Sequence, residues 1–191
     1  MVCNKLTQSH PLFIFIDDYD FIAVTERMDE SLVAWKMLFN LDFYDMLYIT
    51  ARSSGTFSNG PEQKGRPCVY LVPSFLTPGM QDFFESKEWK DSNAIDIMLY
   101  QAVNQSLDNT IASLGKKRFQ EEFETFKQAQ QLAQEYCQGK VFGYCSPGGT
   151  VVPEKERTCV LWGEGCDYDC LTNFRKEGGL NELLKSRQVK E

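Results

Sequence analysis

Histidine is almost missing from this chain: His10 is the only one, and it stands before Pro11 in a polar start. A Ser-His-Asp triad would have to use it, and a lone histidine near a terminus is far more often exposed filler than a base. No Cys-x-x-Cys pair occurs either. With no histidine beside the cysteines, a structural zinc site is not expected, and no metal is assigned. Long apolar runs are lacking as well. The first, Leu12 to Ile16, is too short for a signal h-region or a membrane span. Basic charge is in deficit, with 20 Lys and Arg against 27 Asp and Glu, a net charge of −7 and a pI near 4.9. That argues against nucleic acid or an anionic membrane as a partner, because both need clustered cations. Finally, there is no G-x-x-x-x-G-K-[ST] loop. Gly115-Lys116-Lys117 is a poor substitute, since it follows a helical pattern and not a strand.

What remains is an ordinary globular composition. Apolar residues make up 42% and charged residues 25%, and the length fits a single core. Seven cysteines are present, and five of them (Cys137, Cys145, Cys159, Cys166 and Cys170) fall within the last 55 residues, most of them in a turn-rich part. Cysteines in a Gly-rich loop, outside any periodic apolar element, point to disulfides and an oxidising compartment. The odd count leaves at least one thiol unpaired within the chain. Pairing stays open: Cys166-Asp-Tyr-Asp-Cys170 can close locally or reach back to Cys145 or Cys159.

Taken in order, Leu12 to Ile16 and Phe21 to Val24 read as strands. A helix follows from about Asp29 to Asn40, with Asp29 as N-cap and Asn40 as stop. Asp45 to Ala51 is a further strand candidate, Ser53 to Pro67 a loop by composition, and Cys68 to Val72 a brief strand. A short helix is expected around Met80 to Glu88. The clearest helices come next. Ile95, Leu99, Val103, Leu107, Ile111 and Leu114 form a stripe that opens at Ser92 or Asn93, and Phe119, Phe123, Phe126, Ala133 and Tyr136 mark a second helix from Lys116 to Gln138. Gly115 and Gly139 end them. Thr158 to Trp162 reads as a short strand and Leu180 to Arg187 as a closing helix.

The stretch Tyr19 to Leu41 reads as strand, polar corner and helix, the kind of corner at which α/β proteins collect ligands. At this corner Arg27 can hold a sulfate or phosphate oxygen and Glu26 can accept a hydroxyl proton. The simpler reading is that Glu26 and Arg27 fix the corner by an ion pair while Asp29 caps the helix. The segment Val24 to Val33, VTERMDESLV, together with Asp96 to Ser106, DIMLYQAVNQS, resembles the later half of the Golgi carbohydrate sulfotransferases, in particular the galactose-3-O-sulfotransferases. The resemblance covers roughly Tyr19 to Tyr136. It implies transfer of a sulfuryl group from 3′-phosphoadenosine 5′-phosphosulfate to a glycan hydroxyl in the Golgi lumen or secretory pathway, with a glycan acceptor as partner. The sequon Asn104-Gln105-Ser106 falls where that subgroup has an Asn-x-Ser/Thr, which makes Asn104 the glycosylation candidate if the protein enters the secretory route, although its place on a helix counts against use.

The expected fold is therefore α/β: a partial P-loop-like sulfotransferase fold with few strands, long helices and a Cys-rich irregular C-terminal segment. Residues 1–136 form the sulfotransferase-like domain, without the donor-binding half, and 137–191 a Cys-rich tail. No donor-binding residue is identifiable, so the chain alone is expected to be inactive. The alternative is a non-enzymatic, secreted or lumenal, Cys-stabilised interaction module.

Overall fold

The computed structural model describes residues 18–49, 56–63, 66–72, 75–143, 146, 150–159 and 165–188. They are mostly helical, which overturns the α/β, P-loop-like expectation. The elements are α1 (Met28–Phe39), α2 (Phe43–Met46), a hairpin of β1 (Thr56–Gln63) and β2 (Arg66–Val72), then α3 (Pro78–Glu85), α4 (Lys87–Ser92), α5 (Ala94–Leu114), α6 (Lys116–Cys137), α7 (Tyr168–Lys176) and α8 (Asn181–Gln188). Single 3-10 turns lie at Thr25–Arg27 and Glu154–Glu156. No parallel sheet flanked by helices is present among the described residues.

The reason lies in where backbone groups find partners. Phe21 to Val24 is extended but joins no strand. The Val24 N–H donates to Ser31 Oγ at 2.9 Å, and its carbonyl accepts from the Arg27 N–H at 3.0 Å. The Val24 end of the run closes on its own helix, so its N–H and carbonyl are not available to a ladder. Of the expected Asp45 to Ala51 strand, the start is helical in α2 and Leu47 to Ile49 join no strand, while Thr50 and Ala51 lie outside the described residues. Tyr48 then docks on helical side chains: Gln130 Oε1 accepts from its N–H at 3.4 Å, and Gln130 Nε2 donates to its carbonyl at 2.5 Å. One glutamine amide thus satisfies both groups that a neighbouring strand would have paired. The Ile49 N–H donates to Asp167 Oδ2 at 3.1 Å.

The hairpin departs from expectation in the other direction. Ser53 to Pro67 reads as loop, yet its centre is β1, antiparallel to β2 with Thr56 opposite Val72 and Gln63 opposite Arg66. The register slips between Asn59 and Glu62. Gly60 and Pro61 sit there, and Pro61 has no N–H to give the ladder. Leu12 to Ile16 and His10 lie outside the described residues, as does Val160 to Trp162. Thr158 and Cys159 are not in a strand.

The helices match their sequence signals more closely. Asn40 ends α1 in the left-handed region, φ 51°, and its N–H donates to the Lys36 carbonyl. Asp29 does not cap; it lies inside the first turn, and no side chain caps α1. Thr77 caps α3 through Oγ1 to the Met80 N–H, with Pro78 next to it, and Ser86 caps α4 through Oγ to the Trp89 N–H. Gly115, at φ 87°, breaks α5 from α6, a conformation open chiefly to glycine.

The chain divides into two compact units. One takes residues up to Asp42 together with Leu76–Glu124. Here α1 packs on α5, and Val24, Ser31, Val33, Ala34, Leu107 and Phe119 are buried. Ile95 is the exception in the expected α5 stripe, at 70% exposed. The other unit takes Phe43–Phe75 and Thr125–Glu191. Its buried residues include Phe126, Ala129, Ala133, Phe174 and Leu180. Phe174 meets the rings of Tyr44 and Tyr136 edge-on or tilted, at centroid distances of 6.0 and 5.2 Å. Its ring occupies the space where a side chain on Gly179 would begin. Among the described residues, two disulfides tie this unit: the buried Cys137–Cys170 joins the end of α6 to α7, and Cys159–Cys166 closes a short loop.

Candidate functional site

The polar corner forms as a site through Ser31 and Arg27. Ser31, buried in the first half of α1, accepts from the Val24 N–H and also donates to the Val24 carbonyl at 3.3 Å. That reciprocal pair folds the extended run back on the helix and fixes the 3-10 turn carrying Glu26 and Arg27. The Arg27 guanidinium is half-buried and fully engaged by carboxylates. Nε and Nη2 donate to the two Glu30 oxygens at 2.6 and 3.1 Å, and Nη1 meets Asp108 Oδ1 on α5 at 2.8 Å. The fork-shaped contact with Glu30 is the strong, bidentate kind. The Glu30 hydrogen bond, and after it Asp108, holds the Arg27 guanidinium well above its ordinary pKa, against the opposing effect of burial.

The corner's chemistry follows from charge. One guanidinium faces two carboxylates, so an incoming sulfate or phosphate would have to displace Glu30 or Asp108. The other cation of α1 is committed as well: Lys36 Nζ lies 2.8 Å from Glu122 Oε2, both side chains largely shielded from solvent. Glu26 is exposed in the 3-10 turn. Of the two candidate residues, then, the structure brings Arg27 into a network and leaves Glu26 at the surface. Sequence reasoning placed Ser31 at the corner without giving it a role, and it did not reach Asp108. Asp108 gave no signal, because it lies two positions beyond the resembling α5 segment and only the packing of α1 on α5 brings it near.

Beside the corner lies an open hollow of about 410 Å³ lined by Tyr19, Asp20, Phe21, Ala23, Trp35 and Phe39. Trp35 and Phe39 are one helical turn apart with ring centroids 6.2 Å apart and planes at 90°. Tyr19, Trp35 and Phe39 are each about half exposed. Leu32, Val33, Trp35, Leu38 and Phe39 recur at helical spacing along α1, but of these Val33 is buried, beside Ala34, while Trp35, Leu38 and Phe39 are exposed. A stripe of apolar residues too broad for one face was the available signal.

Asn104 lies in the middle of α5, half-exposed, with Nδ2 donating to the Tyr100 carbonyl at 3.0 Å. Of the cysteine candidates, Cys137, Cys159, Cys166 and Cys170 are bridged, and Cys145 lies outside the described residues. Cys166 takes the Cys159 alternative, and the local Cys166–Cys170 pairing does not form. Two disulfides are compatible with a secretory or extracellular protein. Among the described residues, no group of three His, Cys, Asp or Glu side chains is placed to hold a metal, and no helix is long and apolar enough to cross a membrane. No protein-family model, no curated protein and no solved structure matches the chain.

Proposed function

We propose that this chain is a carbohydrate-sulfotransferase-like module that meets the glycan and does not by itself hold the sulfuryl donor. The observation carrying this reading is that the two segments of the resemblance, far apart in sequence, pack as neighbours. They lie in one unit, with α1 against α5 and Arg27 of the first paired to Asp108 just beyond the second. The donor, 3′-phosphoadenosine 5′-phosphosulfate, carries several negative charges, and the cations available at this corner do not fit it. Arg27 and Lys36 already have carboxylate partners. The sequence supplies no Gly-rich phosphate loop to take their place. The Golgi lumen or another part of the secretory pathway is the setting that suits this role and the disulfides.

Isothermal titration tests the reading. The chain is expected to give no heat with adenosine 3′,5′-bisphosphate and measurable heat with galactose-terminated oligosaccharides. Micromolar nucleotide binding by the wild-type chain would overturn it.

A second reading is favoured by the disulfide-tied unit, which lies apart in sequence from the corner: a Cys-stabilised interaction module with no link to sulfation. Thiol counting with and without reductant separates the two compartments. Seven free thiols in the native protein would remove the secretory setting from both readings.

A further inference from the structure

We infer that the hollow between the chain entering α1 and the solvent side of that helix is a binding subsite for a neutral pyranose. This rests on the glycan reading above and gives it a location. A pyranose combines two needs on one small ring. Its C–H face seeks an aromatic surface, and its ring of hydroxyls seeks hydrogen-bond acceptors. The hollow offers both. Trp35 and Phe39 stand at right angles, so they present walls of different orientation, and Tyr19 adds a third ring with a polar tip. Asp20 lines the same space and is exposed, so its carboxylate can accept from two adjacent hydroxyls. The volume, about 410 Å³, lies in the range of small-ligand sites.

Charge selects among sugars. Among the described residues, Asp20 is the one charged group lining the hollow, and Asp18 is exposed close by in sequence. The cations of the neighbouring helix turn are engaged by Glu30, Asp108 and Glu122. A sulfated or carboxylated sugar would therefore meet repulsion, and an unsulfated one would not. A site with this preference takes the substrate of a sulfation and rejects its product.

The test is titration of the full chain with lactose and with 3′-sulfolactose, for the wild type and for Trp35→Ala, Tyr19→Ala and Asp20→Asn. Lactose is expected to bind the wild type more tightly than its sulfated form. The two aromatic deletions should each weaken lactose binding by about tenfold, with helical circular dichroism unchanged. Asp20→Asn, an exposed and isosteric change, keeps the comparison valid if an aromatic deletion unfolds the chain. It should narrow the gap between lactose and 3′-sulfolactose. Lactose binding that all three variants leave untouched would overturn the subsite while leaving the glycan reading intact. A wild-type chain that binds neither sugar would overturn both, and an apolar helical peptide binding in place of sugar and losing affinity in Trp35→Ala would reassign the hollow to a protein partner.

Discussion

Replacing Ser31 with alanine is the sharpest test of how the corner is built. Ser31 Oγ is the acceptor for the Val24 N–H at 2.9 Å, and both residues are buried, at 1% and 3% exposed. Water therefore cannot replace the lost hydroxyl. The Val24 carbonyl keeps a partner, because it also accepts from the Arg27 N–H at 3.0 Å. The substitution thus orphans one buried donor and not two. Leaving one such group unsatisfied costs about 1–3 kcal/mol. With a urea dependence of about 1–3 kcal/mol per molar, the unfolding midpoint should fall by roughly 1 M at unchanged slope. Hydrogen exchange gives the local readout: the Val24 amide should exchange about tenfold to a hundredfold faster. A loss below about 0.5 kcal/mol, within the range of an ordinary surface change, together with an unaltered Val24 exchange rate would refute the claim that this hydroxyl holds the corner.

Two further outcomes follow from the second unit. Replacing both Cys137 and Cys170 with serine removes a cross-link between residues 33 apart in sequence, and the chain-entropy relation puts the loss at about 4 kcal/mol; thermal unfolding with and without reductant measures it, and an unchanged midpoint would contradict it. The Tyr136 phenol is held above its ordinary pKa of 10.0, first by its hydrogen bond to Glu177 and then by desolvation. A raised folded value means that the neutral phenol's stabilising contribution is complete below pH 10 and is lost as pH climbs through the raised value. Phenolate absorbance of the wild type minus that of Tyr136→Phe should show this titration displaced upward, and Glu177→Gln should bring it back toward 10.0. Titration of Tyr136 at or below 10.0 in the wild type would contradict the assignment.

The helices were legible because their signals are local. Asn40 and Gly115 act on the backbone within a turn of themselves and end their helices as read, whereas Thr77 and Ser86 cap two helices where one was expected around Met80 to Glu88, and α7 stands where an irregular segment was expected. The sheet was misread because strands depend on partners that sequence does not show. Phe21 to Val24 has strand-forming residues, but Ser31 takes its donor first. Tyr48 has a strand's backbone but finds Gln130. β1 has a loop's composition, yet it pairs with the apolar run from Cys68 to Val72. The site was partly legible in the same way. Arg27 was expected to pair with its neighbour Glu26, but Glu30, three residues on, takes it instead, and Asp108 enters only through tertiary packing. Trp35 and Phe39 were seen as apolar, but their exposure was set by Val33 and Ala34 filling the core first.

The irregular ribbon has a consequence for how copies of this protein behave at high concentration. A free pair of strands is a template on which further chains can stack, edge upon edge, into fibres. Here each strand carries a proline, Pro61 in β1 and Pro67 in β2, and the register slips next to the first. A chain adding to either side would meet a gap or a kink where continuous pairing is required. The same Gly60-Pro61 step that disguised the strand in the sequence therefore blunts it against growth.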